Sequence, residues 1–327
     1  MRISVVIPCR DAERTVADAV ASALGQSEPP AEVVVVDDAS ADGSSDAARR
    51  AGARVIRNAA RRNAGGARNV GLEATSGELV AFLDADAVAP RDWLARARAV
   101  LDARPDVVGV GGAVANGRPG RWGELDYYMN HSEWIAGAAG PKRSIPTMAI
   151  VYRRAAIGPV RFPESNTGED TAFALGVLER GGTLWFEPSI VVTHRHERLD
   201  AGAFRDKQIA CGVTIYETRS RHDRPGRVLV RHPSLLWLFP HLWITLARMA
   251  RAGHAGRAAA LLPWLVQGEM LRIRGFHDAR RAARPVAAPK MPIHPAAPAP
   301  ENPAAASPAN SAAPSPVRGV RHRASKA

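Results

Sequence analysis

Asp84-Ala85-Asp86 places two carboxylates two residues apart, directly after the apolar run Leu79-Val-Ala-Phe-Leu83. Two such groups leaving one strand end repel each other unless a cation lies between them. A hard divalent ion with oxygen ligands meets that demand. A D-x-D alone is common, but two further acidic segments follow apolar runs in this chain. They are Pro8-Cys9-Arg10-Asp11, and Asp37-Asp38-Ala39-Ser40-Ala41-Asp42-Gly43-Ser44. Asp and Ser after a strand are also ordinary turn formers and helix caps. Asp42-Gly43-Ser44 reads as that alone, a turn leading into a capped helix. Glu169-Asp170 fits a helix N-terminus, where acids stabilise the dipole. His194-Arg195-His196 follows the apolar Ile190–Val192, and an H-x-H on extended chain points both rings to one side. The competing reading is a pair of solvated histidines on a sheet edge.

The elements that must carry these residues alternate. Strands are expected at Ile3–Ile7 (ending at Pro8), Glu32–Asp37, Arg54–Arg57, Leu79–Leu83 and Val107–Val114. Helices are expected at Ala12–Leu24, with Val16, Val20 and Leu24 on one face, and at Ser44–Ala51, Ala67–Ala74 and Arg91–Asp102. Strands this apolar, separated by helices, predict an α/β fold with a mostly parallel sheet covered on both faces. Ligands of such sheets sit outside the carboxyl ends of the strands, where the acidic segments fall. A dinucleotide-binding Rossmann reading fails, because no G-x-G-x-x-G follows the first strand. Gly65-Gly66 and Gly109–Gly112 come after the wrong elements. Residues 115–230 show less regular patterning.

The chain has 327 residues, with 44 Lys+Arg against 32 Asp+Glu. Residues 1–217 carry 26 Lys+Arg and 28 Asp+Glu, whereas residues 218–327 carry 18 and 4. The basic excess therefore belongs to the C-terminal third, which points to an anionic surface as partner. Cys9 and Cys211 are isolated, which excludes a disulfide framework and a Cys-based zinc site and suits a reducing compartment. Ile3–Ile7 is too short for the apolar region of a signal peptide. Leu235–Ala247 and Ala258–Val266 are interrupted by prolines and fall short of the roughly 20 apolar residues a spanning helix needs. With Trp237, Trp243 and Trp264 beside many arginines, they suit helices lying in a membrane interface. An amphipathic pair packed on the domain is the alternative. From Arg284 onward Ala, Pro and Ser dominate, a composition that cannot bury enough surface to fold. The expected organisation is a catalytic domain over 1–217, C-terminal helices over 218–283 and a disordered tail over 284–327.

Taken together, these motifs resemble the family 2 inverting glycosyltransferases of the GT-A fold. The resemblance runs from Ile3 to about Tyr216 and rests on S-V-V-I-P at Ser4–Pro8, D-D-A-S-A-D-G-S at Asp37–Ser44, and N-A-G-G-A-R-N-V-G at Asn63–Gly71. S-G-E-L-V-A-F-L-D-A-D at Ser76–Asp86 and G-E-D at Gly168–Asp170 follow in family order. The resemblance implies a nucleotide-diphosphate sugar as donor, with Pro8, Arg10 and Asp38 around its base and ribose and Arg68 near its phosphates. It implies Mg²⁺ or Mn²⁺ on Asp84 and Asp86, with His194 or His196 able to reach the metal or diphosphate. It also implies Asp170 as general base, with Glu169 beside it. Trp122, Tyr127, Tyr128 and Trp134 are candidates to stack on an acceptor sugar, or for core packing. The chain departs from the pattern at Asp11, where Asn is usual, and at Ala87, where a further Asp is frequent. The residues after Asp170 also differ, and the Gln-x-x-Arg-Trp of processive synthases is absent, which points to single-sugar transfer. The implied acceptor is a lipid-linked or cell-envelope glycan, with the enzyme cytoplasmic and peripheral at the inner face of the membrane. No nucleic-acid partner is expected. The alternative is a catalytically inactive relative serving as a membrane-associated interaction module.

Overall fold

A computed structural model describes residues 1–135, 137–164, 168–195, 200–221 and 227–283. His196 and the tail expected over 284–327 lie outside the described residues. The elements run β1 (Ile3–Cys9), α1 (Val16–Leu24), β2 (Glu32–Asp37), α2 (Ser44–Arg50), β3 (Arg54–Arg57), α3 (Asn63–Ala74), β4 (Leu79–Leu83) and β5 (Ala87–Val88). There follow α4 (Trp93–Ala103), β6 (Val107–Asn116), α5 (Arg121–His131), β7 (Gly140–Lys142), β8 (Ala149–Arg153), α6 (Arg154–Ile157), α7 (Glu169–Glu179) and β9 (Thr183–His194). The C-terminal part is helical: α8 (Ala201–Arg221), α9 (Val228–Arg231), a 3₁₀ segment at Pro233–Leu238, α10 (Pro240–Arg251) and α11 (Ala255–Ala282).

The sheet order is β3-β2-β1-β4-β8-β6-β9-β5, with β7 paired to β9. Strands β1 to β4 form parallel ladders, as do β6 and β9. The unbroken apolar runs of β1 and β2 are explained by burial on both faces. Val5, Ile7, Val33 and Val35 join the core under α1, α2 and α4. Val6 enters the core of the opposite face, and Val34 and Val36 pack there with Ala67 of α3.

Four local expectations shift. Helix α1 starts at Val16, because Ala12–Thr15 form a turn in which Thr15 N–H and Val16 N–H both donate to Ala12 O, at 3.0 and 2.9 Å. Helix α3 starts at Asn63, before Gly65; a Cβ there would stand 1.8 Å from Pro163 O, so only glycine lets that turn approach the 162–163 segment. Strand β8 is new: it lies antiparallel between β4 and β6 and joins the two parallel halves of the sheet. Finally, α8 continues through residue 217, inside one compact unit spanning Met1–Arg284. Helix α8 crosses α11 at two glycines: a Cβ on Gly212 would stand 2.0 Å from Arg272 O, and one on Gly275 2.0 Å from Ile209 O. Among the described residues, no helix is long and apolar enough to cross a membrane.

Candidate active site

The carboxyl ends of β1, β2 and β4 open into a cavity of about 1000 Å³. Register sets what enters it. Cys9 pairs with Asp37 at the ends of β1 and β2, so Pro8, Arg10 and Asp38 lie along one wall of the cavity. The two adjacent aspartates have separate tasks. Asp37 is fully buried and structural, accepting from Ser40 N–H at 2.9 Å, from Ser45 Oγ and from Arg57 Nη1 at 2.7 Å. Asp38 accepts from Asn58 Nδ2 at 2.9 Å and from Arg62 N–H at 2.7 Å, both on Oδ1. Its Oδ2 is buried without a hydrogen-bond partner, an acceptor in the cavity wall. Leaving a buried acceptor unmade is costly, so a donor on a ligand is a natural complement. Arg10 is held against this wall by Asp11 at 3.3 Å and donates to Asp38 O at 3.3 Å.

Beyond β4 the chain turns through Asp84-Ala85-Asp86 into β5, which pairs antiparallel with the end of β9 through Ala87 and His194. That pairing brings His194 Nε2 to 3.2 Å from Asp86 Oδ1. One ligand atom from each of Asp84, Asp86 and His194 lies within 4.8 Å of the others. Two carboxylate oxygens and an imidazole nitrogen form a donor set suited to Mn²⁺ or Mg²⁺. His194 is buried, not a solvated edge residue, and Arg195 turns away to Asp18 at 2.6 Å.

Arg68 projects from α3 and is buried. It donates to Asp84 Oδ1 at 2.7 Å and to Glu169 Oε1 at 2.9 Å, with its guanidinium 5.6 Å over the Phe162 ring. Gly168, in the left-handed region at φ 72°, makes the turn that starts α7 and sets Glu169 and Asp170 in its first turn. Glu169 lines the cavity, whereas Asp170 is not among the lining residues. Asp170 Oδ1 accepts from Thr171 N–H at 2.6 Å and Thr171 Oγ1 at 3.2 Å. Burial raises both carboxyls above their ordinary range, with Arg68 opposing the rise. Cys9 also lines the cavity, but burial pushes its thiol up to about 12, which removes it as a nucleophile near neutral pH.

The aromatic cluster packs instead of lining the cavity. Tyr127 and Tyr128 are buried, Tyr127 Oη donates to Val114 O at 2.8 Å, and Trp122 lies 5.5 Å from Phe204. Asp126 and Lys207 also line the cavity, although neither belongs to a sequence motif. Asp126 of α5 is fully buried and pairs with Lys207 of α8 at 2.8 Å. Asn130 links that pair to α11, donating to Asp126 Oδ1 at 2.8 Å while its Oδ1 accepts from Arg272 at 2.7 Å. The sequence carries only a single acid there, among the aromatics of an irregularly patterned stretch.

Residues 4–157 match the family model described as Glycosyl transferase family 2. Through this region the chain belongs to glycosyltransferase family 2. It is 29% identical over 189 residues to TuaG of Bacillus subtilis, named as a teichuronic acid biosynthesis glycosyltransferase; the match covers 56% of this chain and 74% of TuaG. It is also 29% identical over 262 residues to the pre-mycofactocin glycosyltransferase of Mycobacterium tuberculosis, covering 76% of this chain and only 54% of that relative. Among solved structures, the mannosyltransferase PcManGT of Pyrobaculum calidifontis, in complex with GDP-Man and Mn²⁺, aligns with TM-score 0.60 and 22% identity. That alignment covers 86% of this chain and 88% of the archaeal one, and the likeness is one of fold, GT-A.

Proposed function

We propose that this family 2 glycosyltransferase moves a single sugar, with inversion, from a nucleoside-diphosphate donor to an acceptor hydroxyl. The observation that carries the reading is the convergence of Asp84, Asp86 and His194 within 4.8 Å, both aspartates lining the same cavity as Asp38 with its open Oδ2. Pro8, Arg10 and Asp38 would hold the base and ribose, the last through its uncommitted carboxylate oxygen. Asp84, Asp86 and His194 would hold Mg²⁺ or Mn²⁺. When bound, such an ion supplies Lewis-acid stabilisation of the departing diphosphate. Arg68 adds fixed positive charge beside Asp84, and Glu169 holds Arg68 in place. Asp170 is the general base: its hydrogen bonds to Thr171 both end on Oδ1, and Oδ2 carries the remaining acceptor capacity for an acceptor hydroxyl proton.

The acceptor is a lipid-linked or cell-envelope glycan, and the enzyme works from the cytoplasm, peripherally at the membrane. The basic C-terminal third supports that placement. An inactive interaction module is disfavoured by the presence of Asp38, Asp84, Asp86 and Glu169 together in the cavity. Calorimetric titration of UDP, GDP and dTDP with Mn²⁺ tests the reading. One nucleotide should bind tightly, and only with the ion present; absence of binding by all three would overturn it.

A further inference from the structure

Among the described residues, eleven large apolar side chains stand exposed, and eight of them fall between Val228 and Met270. The most exposed are Leu238 and Trp243, each at 65%, and Trp237 at 53%; Ile244, beside Trp243, is at 48%. They form one fixed patch. Phe239, at φ 49°, turns the 3₁₀ segment sharply into α10, and Trp243 Nε1 donates to Leu238 O at 3.1 Å across that corner. The exposed face of α10 continues through Ala247 to the exposed Arg251, following helical spacing. Trp237 also forms one wall of an apolar groove of about 570 Å³ against α11, lined by Met270, Leu271 and Ile273 and edged by Arg274, Asp278 and Arg281. Trp264 does not join the patch; it is half-buried, with Arg121 4.2 Å over its ring.

The charge around the patch is predominantly positive. Residues 227–283 contain nine arginines and two acids. Glu269 is buried against His241 at 3.1 Å, and Asp278 lies 3.7 Å from both Arg274 and Arg281. Tryptophan and leucine surrounded by arginine match the boundary between lipid headgroups and acyl chains, where apolar area enters and guanidinium groups meet phosphate.

We propose that Trp237, Leu238, Trp243 and Ile244, with the adjoining groove, form a docking surface for an anionic lipid bilayer. Arg251, Arg274 and Arg281 lie at the phosphate level. This deepens the peripheral placement proposed above, but its failure would leave the sugar-transfer chemistry untouched. Each arginine near an anionic surface multiplies partitioning roughly fivefold, and salt weakens that share over a Debye length of about 8 Å.

The test is flotation of the full chain with vesicles of phosphatidylcholine alone and of phosphatidylcholine with an equal part of phosphatidylglycerol. Binding to the anionic vesicles only, reduced by added salt, is the expected result. Trp243→Gln with Leu238→Gln should weaken it at least about tenfold, the scale set by the apolar area withdrawn. Arg274→Gln with Arg281→Gln should remove much of its salt sensitivity. Both variants should bind nucleoside diphosphate with Mn²⁺ like the parent, which keeps this outcome separate from that of the transfer reading. No flotation, or equal flotation on both vesicles, overturns the proposal. So does a dimer in sedimentation that Trp243→Gln dissociates, which would make the patch a self-interface.

Discussion

Arg68 stands between two carboxylates that face one cavity, Asp84 on the β4 side and Glu169 on α7. Removing one partner from a buried ion-pair network leaves uncompensated charge and typically costs about 3–5 kcal/mol. Arg68→Met is therefore expected to lower stability on that scale, read as a reduced urea midpoint at unchanged slope. The same geometry sets a pH dependence. Burial raises Asp170 and Glu169, and Arg68 opposes the rise. A base must be ionised to act, so the acid limb of the transfer rate should lie above the ordinary carboxylate range. Asp170→Asn should reduce transfer at least roughly 10²-fold while leaving nucleotide binding nearly intact. Loss of nucleotide affinity with turnover preserved would make Asp170 a binding residue. Asp86→Ala should abolish donor turnover, and EDTA should do the same to the parent enzyme; full turnover in EDTA would sink the metal assignment.

At the scale of elements, strand–helix alternation was readable because burial on both sheet faces leaves unbroken valine runs such as Val33–Val36, and the acidic ends of those runs mark the ligand side. Strand β8 was not readable. Ala149–Arg153 is five residues in a stretch without periodic signal, and its antiparallel place between β4 and β6 is decided by partners distant in sequence. Asp126 and Lys207 escaped for a related reason: a lone acid and a lone lysine 81 residues apart become a site only through the docking of α5 and α8. That docking depends in turn on the α8–α11 crossing, where Gly212 and Gly275 let two backbones touch. Gly212→Val should force them apart, at an overpacking cost of about 1–3 kcal/mol. A lowered thermal midpoint, with donor binding weakened in parallel, would be the signature.

For the whole molecule, the C-terminal helices complete the packing around the cavity. Leu261 and Leu265 of α11 share a cluster with Phe204, which lines the cavity, and Arg272 reaches Asn130 and through it Asp126. Deleting residues 228–327 is expected to expose that cluster and give a chain that aggregates or melts without a sharp transition in calorimetry. The order in which the sheet is completed has a consequence for synthesis. Strand β4 is apolar throughout and buried, yet its neighbour β8 leaves the ribosome about 70 residues later, several seconds at ordinary elongation rates. In that interval the nascent chain carries an open, sticky strand edge. The newborn polypeptide is therefore expected to be most prone to aggregation over one definable stretch of its own translation.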